Sequence, residues 1–187
     1  MLEVMPDDQV EPVLRTHQYL KPGDRIAHPH PAVFEVATGR RIDLDPELAP
    51  NPWSINEVSW HPEEPRVRML YNQRGHQVLR LLEIDALSGE SRVLIDETSD
   101  TFIDYAGKRF LHIMNDGDRA IWMTERSGWN HLEMVDLVTG ERTPITSGDW
   151  VVRAVDDVDE DAETLRIRAL GIDANQDPYH VHHAVVD

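Results

Sequence analysis

Cysteine is absent from the 187 residues. That excludes disulfides, C-x-x-C zinc sites and a thiol nucleophile, and it leaves the compartment open. Long apolar runs are missing too: none approaches the roughly 18 residues that span a bilayer. No charged–apolar–small signal pattern opens the chain, so any export signal of a longer parent is expected upstream of Met1. Basic side chains are scarce, 18 Lys plus Arg against 35 Asp plus Glu, for a net charge of −17. Such a surface repels phosphate backbones and anionic headgroups, which argues against nucleic acid and membrane partners. It suits a soluble protein and favours cationic ligands such as a peptide amino terminus. Helical periodicity is nearly absent, as are glycine-rich phosphate loops and basic stripes with interleaved aromatics.

What the chain does contain is a repeated turn. Glu35-Val-Ala-Thr38-Gly39, Asp85-Ala-Leu-Ser88-Gly89 and Asp136-Leu-Val-Thr139-Gly140 stand 50 and 51 residues apart. Each lies between apolar alternating runs. An acid, two spacers, a hydroxyl residue and a glycine suit a hairpin in which Gly supplies positive φ and the acid binds nearby backbone. Self-similarity at this period predicts a β-propeller, one four-stranded blade per repeat. Five tryptophans fit the aromatic contacts that blades make with each other. Counting 51 on from Asp136 reaches Asp187, where a fourth such turn would begin, so the chain is expected to be a fragment.

Alternation places the strands. One is expected at Val13–Thr16, followed by a breaker loop carrying Pro22, Pro29 and Pro31. Ala32–Val36 and Arg40–Leu44 make a hairpin around Thr38-Gly39, and a second breaker loop, Asp45–Trp53, holds Pro46, Pro50 and Pro52. Ile55–Trp60, Val67–Tyr71, Val78–Ile84 and Arg92–Ile95 complete one four-stranded unit. Arg109–Met114, Ala120–Thr124, His131–Leu137 and Arg142–Thr146 form the next. Trp150–Val155, Leu165–Ala169 and His180–Val186 begin a third. The segment Tyr71–Leu79 lies over Met123–Leu132, both leading through an Arg–(Ser)–Gly turn into an apolar strand. The fold class is therefore all-β: a partial β-propeller of about three to four four-stranded antiparallel blades, with units near 13–50, 51–98, 99–148 and 149–187.

Chemistry is harder to find. A serine hydrolase needs a G-x-S-x-G elbow with His and acid partners. None of Ser54, Ser59, Ser88, Ser91, Ser99, Ser127 and Ser147 stands between two glycines at that spacing. His28, His30, His180, His182 and His183 are half of the ten histidines. On a strand His180 and His182 would share a face, but a third ligand is missing, and polar strand positions explain them better. Glu63-Glu64, between Pro62 and Pro65, could grip an ammonium group or do acid–base work. A charged hairpin tip explains it better. No catalytic, cofactor-binding or metal residue is assigned within the chain, and no cofactor is implied.

Specific words carry a resemblance. Tyr19–Asp24 followed by Val33–Gly39 resembles the Y-P-K-x-G loop and strand of dipeptidyl peptidase IV propellers. Thr124–Leu132 resembles that family's S-E-R-D-G-W-x-H-L-Y segment, and Ile145–Val152 its L-T-x-G-x-W-x-V element. Asp177–His182 is close to the strand before the final blade in bacterial members. The resemblance runs in family order from about Tyr19 to Asp187. It implies the propeller portion of a bacterial serine-type dipeptidyl peptidase of the prolyl oligopeptidase clan, periplasmic or extracellular, in which the propeller gates and helps bind peptide substrates. It also implies a covalently linked α/β-hydrolase domain carrying the Ser-Asp-His triad outside this chain, and a homodimeric parent. The family's substrate-amine Glu-Glu pair would fall upstream of Met1, so Glu63-Glu64 does not inherit that role. Phe102–Tyr105 falls near a family substrate-pocket loop without matching its letters. The chain alone is expected not to be catalytic. The alternative is a stand-alone β-propeller protein-binding module without enzymatic activity.

Overall fold

In the computed structural model, which describes residues 2–4, 8, 10–16, 19–21 and 23–187, nearly all regular structure is antiparallel sheet. Pro22, one of the predicted breakers, lies outside the described residues. A first hairpin pairs β1 (Leu2–Val4) with β2 (Val13–Arg15), and a second pairs β3 (Ala32–Phe34) with β4 (Arg41–Asp43). Two four-stranded meanders follow: β5 (Pro52–Trp60), β6 (Arg66–Gln73), β7 (Val78–Asp85) and β8 (Ser91–Thr98), then β9 (Leu111–Ile113), β10 (Arg119–Thr124), β11 (His131–Asp136) and β12 (Arg142–Pro144). A three-stranded sheet closes the series: β13 (Val151–Asp159), β14 (Thr164–Leu170) and β15 (Val181–Val186). The strands predicted from alternation are all present. Two elements were not foreseen: β1, and a short 3-10 helix, Pro46–Leu48, inside the second breaker loop. Asp45 starts that helix by accepting the Glu47 amide at 2.9 Å, with Pro46 at the first position, where its missing N–H costs nothing.

The repeated turns join the third and fourth strands of their units, and their chemistry is shared. Asp85 Oδ1 accepts the amides of Leu87 and Ser88, both at 2.8 Å; Asp136 Oδ1 accepts those of Val138 and Thr139 at 2.9 and 2.7 Å. In each, the glycine amide returns to the carbonyl of the acidic residue, and the glycine sits at φ 83° or 79°. Glu35 departs from this because its side chain is one methylene longer: its carboxylate accepts the Thr38 hydroxyl instead. The amides at Ser88 and Leu87 hold the Asp85 carboxyl below its usual range, and the Thr139 amide does the same at Asp136.

The sheets stack face to face. One core cluster joins Ile42, Leu44 and Ala49 to Val67, Met69, Tyr71, Leu82 and Ile84. A second joins Leu70, Leu79 and Leu81 to Ala120, Trp122 and Val135, and a third joins Ile121, Met123 and Leu132 to Val152, Leu165 and Ile167. Period-two alternation explains the division: Val67, Met69 and Tyr71 point to one neighbour, Leu70 to the other. Most polar groups trapped between sheets are paired, although Arg68 Nη2 and Asn130 Oδ1 are buried without a hydrogen-bond partner among the described residues. Buried Glu97 accepts from Trp122 Nε1 (3.2 Å), Thr124 Oγ1 (2.7 Å) and Arg126 Nε (3.0 Å), which ties the second meander to the first. Arg68, 1% exposed, donates to Glu83 at 2.8 Å and to the Gly117 carbonyl of the next sheet. No described helix is long and apolar enough to cross a membrane.

Candidate functional site at the long-loop rim

The two ends of the stacked sheets differ in kind. One carries the tight turns: His61–Pro65, the Asp85 and Asp136 turns, Asn115–Gly117 and Glu160–Glu163. The other carries the β6–β7, β8–β9, β10–β11 and β14–β15 connections. Exposed large apolar residues occur at both ends: Phe34, Trp60, Leu87 and Val138 at the first, Trp53, Phe102, Trp129 and Tyr179 at the second. Among the described residues, only at the second do aromatic rings join into a connected cluster, which makes this rim the candidate site.

Irregularity in the first strands aims side chains toward it. In β5 the pairing skips Trp53, and Glu57 and Val58 together stand opposite Met69. In β13 Arg153 and Asp156 are the extra residues. Bulges bend a strand and re-aim its side chains, and they weaken an otherwise flat unpaired edge. Glu57 adopts φ 51°, a left-handed conformation that non-glycine residues seldom take.

A connected cluster results. The Arg74 guanidinium lies 5.0 Å from the Trp53 ring centre. The His76 ring meets Trp53 edge-on at 5.3 Å, Phe102 edge-on at 5.6 Å, and stacks on Tyr105 at 4.3 Å and 25°. His76 itself sits at φ 56° in the β6–β7 turn, and its Nδ1 is 3.0 Å from Asn72 Oδ1. Burial, with help from the Arg74 charge, holds the imidazole below its ordinary pKa and therefore neutral over a wider range. The Ile103 amide donates to the His76 carbonyl at 2.7 Å and Gln77 Nε2 to the Asp100 carbonyl at 2.8 Å, so the β8–β9 connection is anchored on this turn. Asp104 folds the same connection by accepting the Gly107 amide at 2.9 Å. Arg109 donates to the Tyr105 carbonyl at 3.3 Å and to Glu57. Arg153 reaches back from β13 to the Gly107 carbonyl at 3.2 Å. A cavity of about 210 Å³ opens between Trp53, Asn56, Asn72, Tyr105 and Arg109. Flat aromatic faces, fixed guanidinium donors and a small concavity suit the rings and carbonyls of an extended peptide.

The residues singled out in the sequence are scattered. Glu63-Glu64 is an exposed turn tip; both amides donate to His61 Nδ1, at 3.2 and 3.1 Å, and Glu64 pairs with Arg66 at 2.6 Å. His180 precedes β15 instead of opening it, with its amide on the Asp177 carbonyl at 3.0 Å, so it does not share a strand face with His182. His183 faces outward, 3.7 Å from Asp156. His28 and His30 are exposed in the first loop. Among the described residues no group of three His, Cys, Asp or Glu side chains could hold a metal ion. Phe102–Tyr105 is brought into the rim cluster.

A family profile described as the dipeptidyl peptidase IV (DPP IV) N-terminal region matches residues 1–181. The chain belongs to the DPP IV N-terminal region family. Among curated relatives, a protein of Emericella nidulans named probable dipeptidyl peptidase 4 is 24% identical over 179 residues, covering 80% of this chain and 23% of the relative. An Aspergillus flavus protein of the same name is 24% identical over 117 residues, 59% of this chain and 15% of the relative. Among solved structures, Porphyromonas gingivalis dipeptidyl peptidase 4 superposes with a TM-score of 0.69 at 17% identity, over 89% of this chain and 23% of that one. That likeness establishes the fold: the DPP IV sheets here are blades of a partial β-propeller. The chain spans about a quarter or less of the length of these relatives.

Trp53, Glu57, His76, Arg109 and Arg153 were not visible as a group beforehand. The one signal is His76, which lies in the turn that superposes on the Arg126–Gly128 segment, where the sequence pattern carries only turn chemistry. Bulges leave no mark in alternation, and the partners are up to about a hundred positions apart.

Proposed function

We propose that the chain is the propeller portion of a serine-type, DPP-IV-like dipeptidyl peptidase, that it gates and helps bind peptide substrates, and that the catalytic Ser-Asp-His triad lies in an α/β-hydrolase domain outside it. The blade units are 13–50, 51–98, 99–148 and 149–187. Family membership supports the parent enzyme. The observation that carries the binding role is the rim cluster of Trp53, His76, Phe102 and Tyr105, flanked by Arg74, Arg109 and Arg153. In a propeller the first strands border the central channel, so bulged Trp53, Glu57 and Arg153 would present themselves to a peptide passing to the hydrolase side. Aromatic faces and guanidinium donors would hold the chain without touching the scissile bond, and the acidic net charge would draw in the free amino terminus.

The test uses the full-length parent enzyme, with release of a chromophore from an Xaa-Pro dipeptide substrate and cleavage of longer peptides. Losing one aromatic or guanidinium contact is worth about 1–2 kcal/mol, or about a 5- to 30-fold rise in KM. Trp53→Ala and Arg109→Ala are expected to raise KM for longer peptides by that factor and to change kcat less than about twofold. A parent that releases no dipeptide would refute the enzyme assignment. An active parent whose two variants keep wild-type KM would refute the binding role alone.

A further inference from the structure

Successive sheets are tied at the tight-turn rim by side chains of different chemistry. Between the β5–β8 and β9–β12 sheets the tie is Arg68 to the Gly117 carbonyl; a second guanidinium tie, Arg126 to Glu97 at 3.0 Å, lies at the opposite rim. Guanidinium groups keep their charge at any pH the protein would meet. His61 also lies at that junction, 3.4 Å from Asp118, but its Nδ1 already accepts two amides. Between the β9–β12 and β13–β15 sheets the tie is different. His112 Nε2 on β9 lies 2.8 Å from Glu160 Oε1, and Oε2 of the same carboxylate accepts the Asn115 amide at 2.8 Å. One carboxylate in the β13–β14 turn thus grips both a side chain and a turn amide of the preceding sheet.

We infer that His112 and Glu160 form a pH-sensitive latch that closes the tight-turn rim between these two sheets when the imidazole is charged and loosens it when the imidazole is neutral. The pair is partly shielded, with side-chain exposures of 34% and 17%, so its charge is not fully screened. From the β9–β10 turn and β10 come Asp116, which opposes the Glu160 charge, and Arg119, which couples to Glu160 and Glu163. Asp157, Asp159 and Asp161 line the adjoining cleft with Glu160 and His112. Burial raises the Glu160 carboxyl, but the Asn115 amide and His112 outweigh it and hold it below its usual range. Glu160 therefore stays ionised down to acidic pH. At the opposite rim, Asn130 Nδ2 to the Val152 carbonyl (2.6 Å) and Arg153 to the Gly107 carbonyl (3.2 Å) do not titrate. The sheets would open from one end. This inference does not depend on the peptidase assignment.

Amide hydrogen exchange on the full 187-residue chain tests it, corrected for intrinsic exchange. Protection of the Asn115 amide is expected to fall about three- to tenfold between about pH 5.5 and 8.5. The Val152 amide, bonded to the Asn130 carbonyl at 2.8 Å, should hold constant. His112→Gln keeps a donor near the Nε2 position without the charge and should abolish the pH dependence. In the wild type, the His112 ring and the Asn115 amide should titrate by NMR with one midpoint. A flat wild-type profile, an equal fall at Val152, an unchanged slope in His112→Gln, or two different midpoints would each overturn the latch.

Discussion

Gly117 offers a sharp test of how the two meanders pack. It sits at φ 78°, and a Cβ there would come 2.6 Å from His61 Nε2 and 2.7 Å from Pro62 Cδ. His61 cannot easily retreat, because it is buried and its Nδ1 accepts the amides of Glu63 and Glu64. The Gly117 carbonyl also takes the buried Arg68 guanidinium. Two costs therefore add in Gly117→Ala: about 1–2 kcal/mol for a left-handed alanine and about 1–3 kcal/mol for overpacking at a rigid contact. The sum, about 2–5 kcal/mol, predicts a fall in melting temperature of about 5–15 °C for a chain of this size. Gly140 is the control, since it has nearly the same φ, 79°, with nothing within 4 Å of its Cβ position. Gly140→Ala should show only the conformational part. Circular dichroism melts and urea titrations of both variants measure the difference. A His61→Ala, Gly117→Ala double variant should recover the share of the packing cost owed to the His61 ring, giving a coupling of about 1 kcal/mol or more. Equal losses for Gly117→Ala and Gly140→Ala, or no coupling to His61, would refute the close approach of the two turns.

Other outcomes follow from the same structure. Glu97→Ala strands Trp122 Nε1, Thr124 Oγ1 and Arg126 between two sheets; a loss of about 3–5 kcal/mol is expected, with a shift in Trp122 fluorescence, by denaturant titration. The carboxyls of Asp85 and Asp136 are lowered by turn amides. Their stabilisation is thus present above the unfolded-state value and lost as pH falls through the folded one. NMR titration should find both midpoints below that of an ordinary Asp, and Asp85→Asn should flatten the acid limb of the stability profile. His76 is lowered by burial and Arg74, so folding favours its neutral form: its contribution is present above the unfolded-state imidazole value and lost as pH falls through the lower folded one. Arg74→Gln should move the His76 titration midpoint upward.

Much of the fold was legible because period two survives in strands that pack on one or both faces. Val78–Ile84 and Leu165–Ala169 announce themselves this way, and the D-x-x-[ST]-G turns mark the repeat because their bonds are local. The rim cluster was not legible. Trp53 and Arg153 owe their direction to single-residue bulges, and His76 meets Tyr105 only because the β8–β9 connection folds back through Asp104. Those contacts depend on register and on loops, neither of which a local pattern encodes.

The clearest division is between two words of one pattern with different fates. Arg66-Val-Arg68-Met-Leu70 and Arg166-Ile-Arg168-Ala-Leu170 share one pattern, and sequence alone makes both into strands with arginines on one face. Arg68 is 1% exposed, pinned between Glu83 and the Gly117 carbonyl of the next sheet. Arg168 is exposed and pairs with Asp156 at 2.9 Å. Local alternation decides which way a side chain points. Only the stacking of whole sheets decides whether a charge there meets water or a buried partner, because desolvation is set by what covers the face.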